Sequence, residues 1–432
     1  MRVRWNVLIK KLAQFIQRNE IWLAVPICLL LLFPSPWMVV GFVSAIVLWL
    51  IRWIATGSPV PISHANASIL VFLVMVTIGF ATSRAPDIAV IVAGQTVASL
   101  TVFFVLLDHI HVSGDLWQIA AGLVLLGIFL AFVAPFTVTW DPNKLFGLAG
   151  FYNQTWPHIP KDTNPNILAG ALAPIVPISL AMLVRNEYRL RTLGAVALAP
   201  ILVMLALLQS RGALFALAVG IALWVTLYRR WVLPLLLIGL LAFLIINDAM
   251  GGPTLAQLLY GDINTPTALS TNSFVQRQDL WVQSLFLIRQ HPLFGIGLGA
   301  YTQVAPSAWP YSAAHPGPVQ NHTHNLFLQI ALDTGVIGLA AFVVLLFYAF
   351  RSAWRASSRG INADLAIGVL AGLTVIVVHG MGDVIVWGTS KSSMVLWVLF
   401  ALAIKLGQQV DLPGQSHKFV EPVVNEHDRP LK

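Results

Sequence analysis

The stretch Asn321-His322-Thr323-His324-Asn325-Leu326-Phe327-Leu328-Gln329 joins a polar, histidine-bearing segment to an apolar run. That run reaches Phe350 with Asp333 as its only charged residue. A membrane span takes roughly 20 predominantly apolar residues, and 326–350 has that length and character. Reading it as a span, with two imidazoles at its mouth, decides the fold of the whole chain. Similar segments recur at 20–34, 37–53, 66–82, 87–107, 115–136, 166–184, 192–209, 212–228, 231–247, 363–387 and 391–407, which makes twelve with 326–350. The first two are the weakest, because Pro26, Pro34 and Pro36 interrupt them.

Composition agrees with this reading. The 432-residue chain is 58% hydrophobic and 10% charged, with a mean hydropathy of +0.81. A soluble domain carries about 25% charged residues, so this chain has too little polar surface for water and reads as one all-α polytopic membrane unit over 1–432. The single Cys28 excludes an intramolecular disulfide. The opening segment Met1–Arg18 is basic and partly amphipathic, with no small-residue cleavage site after it, and reads as a cytoplasmic lead-in and signal anchor.

Twelve spans with the N-terminus inside sort the 25 Lys and Arg residues into 18 on the cytoplasmic side and 7 outside, the seven being Arg84, Lys144, Lys161, Arg211, Arg277, Arg289 and Lys391. This is the positive-inside bias of membrane proteins. It places both termini, including the tail 408–432, in the cytoplasm. It also accounts for the net charge of +8 without a nucleic-acid partner. Two outer loops are long, 137–165 and 247–325, the latter between the ninth and tenth spans. Loops of that length are commonly functional, and the inner loops are short, so the chemistry is expected outside.

Four groups of residues have chemical potential there. Arg211, in Gln209-Ser210-Arg211-Gly212, sits in a tight turn between two spans, either snorkelling to headgroups or clamping an anion with its guanidinium fork. Arg277 belongs to a predicted amphipathic surface helix at about 273–290, with Phe274, Trp281, Leu285 and Ile288 on one face; it is an interfacial anchor or a second anion ligand. Arg289 lies twelve residues on, about 18 Å along a helix, too far to share one phosphate with Arg277. His322 and His324 read as a general base with its partner, a polar cap, or metal ligands. Asn325 is placed to cap the helix that starts at Leu326, and the helix dipole disfavours an imidazolium at His324. A zinc site needs about three or four protein ligands; with His291 and His315 scattered and no outer cysteine, no metal and no other cofactor is expected. Gly295-Ile296-Gly297-Leu298-Gly299 follows no strand, so it fails the context of a dinucleotide loop and reads as a close-packed turn. His379 and Asp383 are spaced four apart on one face of the eleventh span, either as a polar relay or, the favoured role, as partners in hydrogen bonds to other helices.

Taken together, Ser210-Arg211-Gly212-Ala213, Arg277-x-x-x-Trp281, His291-Pro292-Leu293-Phe294-Gly295-Ile296-Gly297-Leu298-Gly299, His322-Thr323-His324-Asn325-Leu326-Phe327-Leu328-Gln329 and Asp333-Thr334-Gly335-Val336-Ile337-Gly338 resemble the O-antigen ligase and polymerase superfamily of bacterial envelope glycosyltransferases. The resemblance covers about 200–350. It implies a GT-C-like fold in the bacterial inner membrane, a periplasmic active site, and a donor glycan on undecaprenyl diphosphate. It also implies a lipid A-core acceptor, with transfer that inverts the anomeric centre and needs no metal. Arg211 and Arg277, with Asn325 and Arg289 as further substrate-binding candidates, would serve the donor. His324 would be the base, and His322 its alternative or its orienting partner. A polymerase or a protein O-oligosaccharyltransferase would use the same site with another acceptor. A transporter of the bicarbonate type is the reading from another class; it would place polar groups in broken helices near the bilayer midplane, whereas here they gather at the outer edge.

Overall fold

The computed structural model describes residues 11–140, 163–229, 271–308 and 321–411, apart from 12, 18, 114, 115 and 361, together with a few positions between 232 and 245. The span expected at 231–247 for the most part, most of the loop 137–165, residues 247–270 and 309–320 of the loop 247–325, and the tail beyond 411 lie outside the described residues, as do Lys144, Lys161, His315 and Gln320.

The described chain is helical, and it is a multi-pass membrane protein. Its helices are α1 (Glu20–Leu32), α2 (Met38–Thr56), α3 (Asn66–Thr82), α4 (Pro86–Ser113), α5 (Leu116–Thr137), α6 (Pro165–Leu172), α7 (Ile175–Leu183), α8 (Tyr188–Leu208), α9 (Arg211–Tyr228), α10 (Thr271–Gln290), α11 (Tyr301–Ala308), α12 (Leu326–Ser358), α13 (Ala363–Gly380) and α14 (Ser393–Asp411). Nine described segments are long and apolar enough to cross a membrane, counting α6 and α7 as one; α1 and α3 are shorter apolar helices. Eleven of the twelve expected spans therefore coincide with helices. The eleventh needs correction: it ends at Gly380, not at 387, and 381–392 is irregular. The sequence Gly380-Met381-Gly382 explains the stop, since two glycines in three residues weaken a helix and free the backbone to turn.

Packing brings α9 against α13, α12 against α3, α13 and α14, and α4 against α1 and α14. The bundle has two chemically distinct ends. At one, Arg52 pairs with Glu20 at 3.0 Å and with Asp108 at 2.7 Å, all three largely withdrawn from solvent. Charges at such depth persist only when paired, and here the pairing fastens the ends of α1, α2 and α4 together. The other end carries the histidines.

At the histidine end α12 breaks at Gly335, whose φ of 73° and ψ of 175° are non-helical. The glycine-rich loop after α10 supplies the partners that the break strands. Ile296 N donates to Leu332 O at 2.7 Å, and Val336 N donates to Pro292 O at 2.8 Å. The loop continues against α3, where Leu298 N donates to Gly79 O at 2.9 Å and the Ser83 hydroxyl donates to Leu298 O at 2.7 Å. A Cβ on Gly335 would lie 2.0 Å from Leu293 O. Gly335→Ala therefore adds a steric clash to a backbone cost of about 1–3 kcal/mol. The expected result is a clearly lower melting temperature for the purified protein in detergent, and a melting curve superimposable on wild type would contradict this reading of the break.

The surface helix exists as α10, with part of its apolar side exposed and a partly polar side packed against the protein. Gln283, Ser284 and Leu287 are buried, whereas Val282 is 53% and Leu285 49% exposed. Gln283 donates to Ala305 O at 3.0 Å and accepts from the Tyr301 hydroxyl at 2.7 Å, so a polar side chain packs inward against α11. The apolar residues on the other side are free to face lipid.

Candidate active site

The site is built from the entry into α12. Asn325 is extended, with φ −154° and ψ 118°, and its Oδ1 accepts from Phe327 N and Leu328 N at 3.0 and 3.1 Å. Two of the helix's otherwise unpartnered amides are thereby satisfied. Its Nδ2 donates to Met381 O at 3.0 Å, tying the cap to the segment after α13. With these bonds the Asn325 side chain is committed to the scaffold.

His324, one residue earlier, has φ +50°. A non-glycine residue held in the left-handed region costs about 1–3 kcal/mol and persists only where the surroundings impose it. They do so here from several sides. Thr323 is fully buried, its amide donates to Gln329 Oε1 at 3.1 Å, and its hydroxyl donates to Asn325 O at 2.8 Å. Trp281 of α10 donates to His324 O at 3.4 Å. Gln329 in turn donates to Asp333 Oδ1 at 3.0 Å, and the same oxygen accepts from Gly299 N at 3.2 Å. Trp387 Nε1 donates to Asp333 Oδ2 at 2.8 Å. One buried carboxylate thus gathers the glycine loop, the segment after α13 and, through Gln329, the histidine loop.

The result is a compact titratable cluster. His324 Nδ1 lies 3.1 Å from Asp383 Oδ1. With the proton on Nδ1 and shared with the carboxylate, Nε2 keeps its lone pair for a substrate proton. Burial raises the Asp383 carboxyl pKa, but the hydrogen bond from His324, the charges of His324 and His322, and the Val384 amide together outweigh it and hold the group well below the usual carboxylate range. The His322 ring stands 4.2 Å from that of His324, and its Nδ1 accepts from the His324 amide at 3.2 Å. Burial first, and then the charges of His324 and Arg277 acting against the pull of Asp383, push His322 down to about 4. It is neutral near pH 7, with its proton on Nε2.

Arg277 is near enough to act electrostatically on both His322 and His379. His379, in the last turn of α13, is 3% exposed, and among the described residues its Nδ1 has no hydrogen-bond partner. Its ring abuts the start of α9: a Cβ on Gly212 would lie 3.2 Å from His379 Cδ2. That helix start is capped by the Ser210 hydroxyl, follows Gln209 in the left-handed region at φ 49°, and presents Arg211, which is exposed, as its first residue. A helix N-terminus bearing an arginine favours an anion.

Arg211, Arg277, His322 and His324 thus come to one end of the bundle, separated by up to 113 residues in sequence. Arg289 does not join them; it is exposed near the far end of α10. Asp383 lies beyond the end of α13 rather than on one helix face with His379, and it hydrogen-bonds across to His324. Asp383 is the main residue that sequence reasoning placed elsewhere, and the signal for it was the glycine pair flanking Met381. His322, His324 and Asp383 also have ligand atoms within 4.8 Å of one another, a donor set able to hold a metal ion. In the described arrangement the His324 and Asp383 atoms face each other at hydrogen-bond distance, and His322 Nδ1 is engaged by an amide.

Fold and site together define a class: an all-α, multi-pass membrane protein with a cationic, histidine-bearing centre at one end of its bundle. Residues 194–343, from α8 to the middle of α12, match the family model described as O-antigen ligase. No curated protein matches the chain. The matched stretch contains Arg211, Arg277, His322, His324 and Asn325; His379 and Asp383 lie beyond it.

Proposed function

We propose that the chain is a glycosyltransferase of the O-antigen ligase type, moving a glycan from undecaprenyl diphosphate to a hydroxyl of the lipid A core. The observation that carries the reading is His324 hydrogen-bonded to Asp383 beside Arg277, with the start of α9 close by. Arg211 and Arg277 hold the donor diphosphate. The acceptor hydroxyl gives its proton to His324 Nε2 while its oxygen attacks the anomeric carbon from the face opposite the leaving group. The bond from that carbon to the diphosphate oxygen breaks with its electron pair, and the two guanidiniums offset the charge that develops, an electrostatic contribution of the kind that exceeds other single effects. Asp383 stabilises the imidazolium. Attack from the opposite face inverts the anomeric centre, and no step calls on a metal.

The charge bias of 18 cationic residues against 7 supports a histidine end on the periplasmic face of the inner membrane with both termini in the cytoplasm. His322, His324 and Asp383 lie outside the helices, at the end of the bundle rather than at its middle, which favours an enzyme over a transporter. The purified protein, given an undecaprenyl-linked glycan with either lipid A core or a second lipid-linked repeat, is expected to yield the core–glycan product. A lengthened lipid-linked glycan would indicate a polymerase, and no product with either acceptor would remove the enzyme reading. The rate is expected to be unchanged in EDTA; activity lost to the chelator and restored by a divalent ion would assign His322, His324 and Asp383 as metal ligands instead.

A further inference from the structure

The end of the bundle opposite the histidines holds a second built site. About 38 Å along α12 from Leu326, the last turns of α12 and α14 and the loop between α2 and α3 enclose a cavity of about 200 Å³ lined by His64, Tyr348, Arg351, Ser352, Arg355 and Asp411, among others. Its charges do not balance. Asp411 is the carboxylate of the lining, and both its oxygens are taken by the two terminal nitrogens of Arg355. Arg359 is also near enough to act on Asp411, so with Arg351 and Arg355 in the lining the guanidiniums outnumber the one spoken-for carboxylate. Arg351 is exposed and, among the described residues, has no hydrogen bond or ion pair. The hydroxyls of Tyr348 and Ser352 add neutral donors to the same wall.

A guanidinium fork with neighbouring hydroxyls suits a phosphate group. What selects a lipid is the surface leading into the cavity. Val344, Phe347, Arg351 and Trp354 follow one another at helical spacings of 3, 4 and 3 residues, one stripe of α12, and the three apolar members are 40%, 58% and 53% exposed. Trp354 next to the arginines marks the interfacial depth where headgroups lie, and Val344 and Phe347 extend from it toward the bilayer interior. Basic pockets between helix ends at that depth receive anionic headgroups.

We propose that this cavity binds the phosphodiester headgroup of an anionic phospholipid, with Arg351 as its free cationic ligand and the acyl chains lying along the Val344–Phe347 stripe. The site is independent of the histidine end and of the reading given to it. It accounts for why Arg351 is presented without a protein partner while Arg355, one turn on, is neutralised by Asp411.

The test is native mass spectrometry of the delipidated full-length protein in neutral detergent, titrated separately with phosphatidylglycerol, phosphatidylcholine and inorganic phosphate. Phosphatidylglycerol is expected to bind at least tenfold more tightly than phosphatidylcholine. Arg351→Gln is expected to weaken it about tenfold, the loss typical of one charge-assisted contact. Arg351→Lys should restore most of the affinity, and Arg191→Gln, an exposed cation at the same end outside the cavity, should leave it unchanged. Melting temperatures of all variants should match wild type. Equal binding of the two lipids, undiminished affinity in Arg351→Gln, an equal loss in Arg191→Gln, or displacement of the lipid by inorganic phosphate binding on its own would each overturn the proposal.

Discussion

His324→Ala is expected to abolish glycan transfer while membrane insertion, melting temperature and donor binding stay close to wild type. General base catalysis contributes about 10²–10⁴ in rate, so the residual turnover should fall by at least two to three orders of magnitude. The argument rests on three features of one residue. His324 points Nδ1 at the Asp383 carboxylate at 3.1 Å, which leaves Nε2 available for the substrate. Its backbone sits in the left-handed region at φ +50°, an arrangement maintained by bonds from Trp281 and through Thr323 and Gln329. Its loop is anchored by the Asn325 cap. Asp383→Asn should also lower the rate strongly, because an amide can hold the ring but cannot stabilise the imidazolium as a carboxylate does. His322→Ala should cost less than either, since His322 accepts a hydrogen bond from the His324 amide and is itself neutral near pH 7. A His322 variant more damaged than the His324 variant would reverse the two roles.

The second large effect is expected at the arginines. Arg211→Lys keeps the charge but loses the fork that engages two phosphate oxygens at once. The helix N-terminus at Ser210 remains, so the predicted loss is about 10²-fold in kcat/KM, the scale of one electrostatic contact to a developing charge. Arg277→Lys should fall similarly, and Arg289→Lys should have little effect, because the structure leaves Arg289 exposed near the other end of α10. Steady-state kinetics with a lipid-linked donor would read this directly. Full activity in Arg211→Lys would mean that this arginine serves only to anchor α9 at the headgroups.

Much of the fold was legible because bilayer thickness imposes its own length on the chain. Runs such as 66–82 and 212–228 match α3 and α9 to within a residue, since no tertiary contact is needed to specify them. The Asn325 cap was legible for a similar reason: its partners, Phe327 and Leu328, are two and three residues away. Long-range features were not. The Asp383 carboxylate meets His324 across 59 residues, and only the break at Gly380 turns it out of the helix toward that partner. The protein-facing side of α10 was not legible, because the periodicity of its apolar residues describes only the side turned toward lipid. Its inward Gln283 is satisfied by Tyr301 and Ala305, contacts that no periodicity encodes. The break in α12 was hidden in the same way, since Gly335 is an unremarkable residue in an apolar run until the loop 292–299 supplies its missing partners.

The most direct test of the central claim is to follow release of undecaprenyl diphosphate from a lipid-linked glycan by the purified protein, in EDTA, with and without lipid A core, for wild type and His324→Ala. The account predicts acceptor-dependent release by wild type, matched one to one by glycan–core product, and release by the variant lowered at least a hundredfold with donor binding retained. Equal release by the two proteins would show that the proton leaves the acceptor by another route, and would remove His324 from the centre of the mechanism.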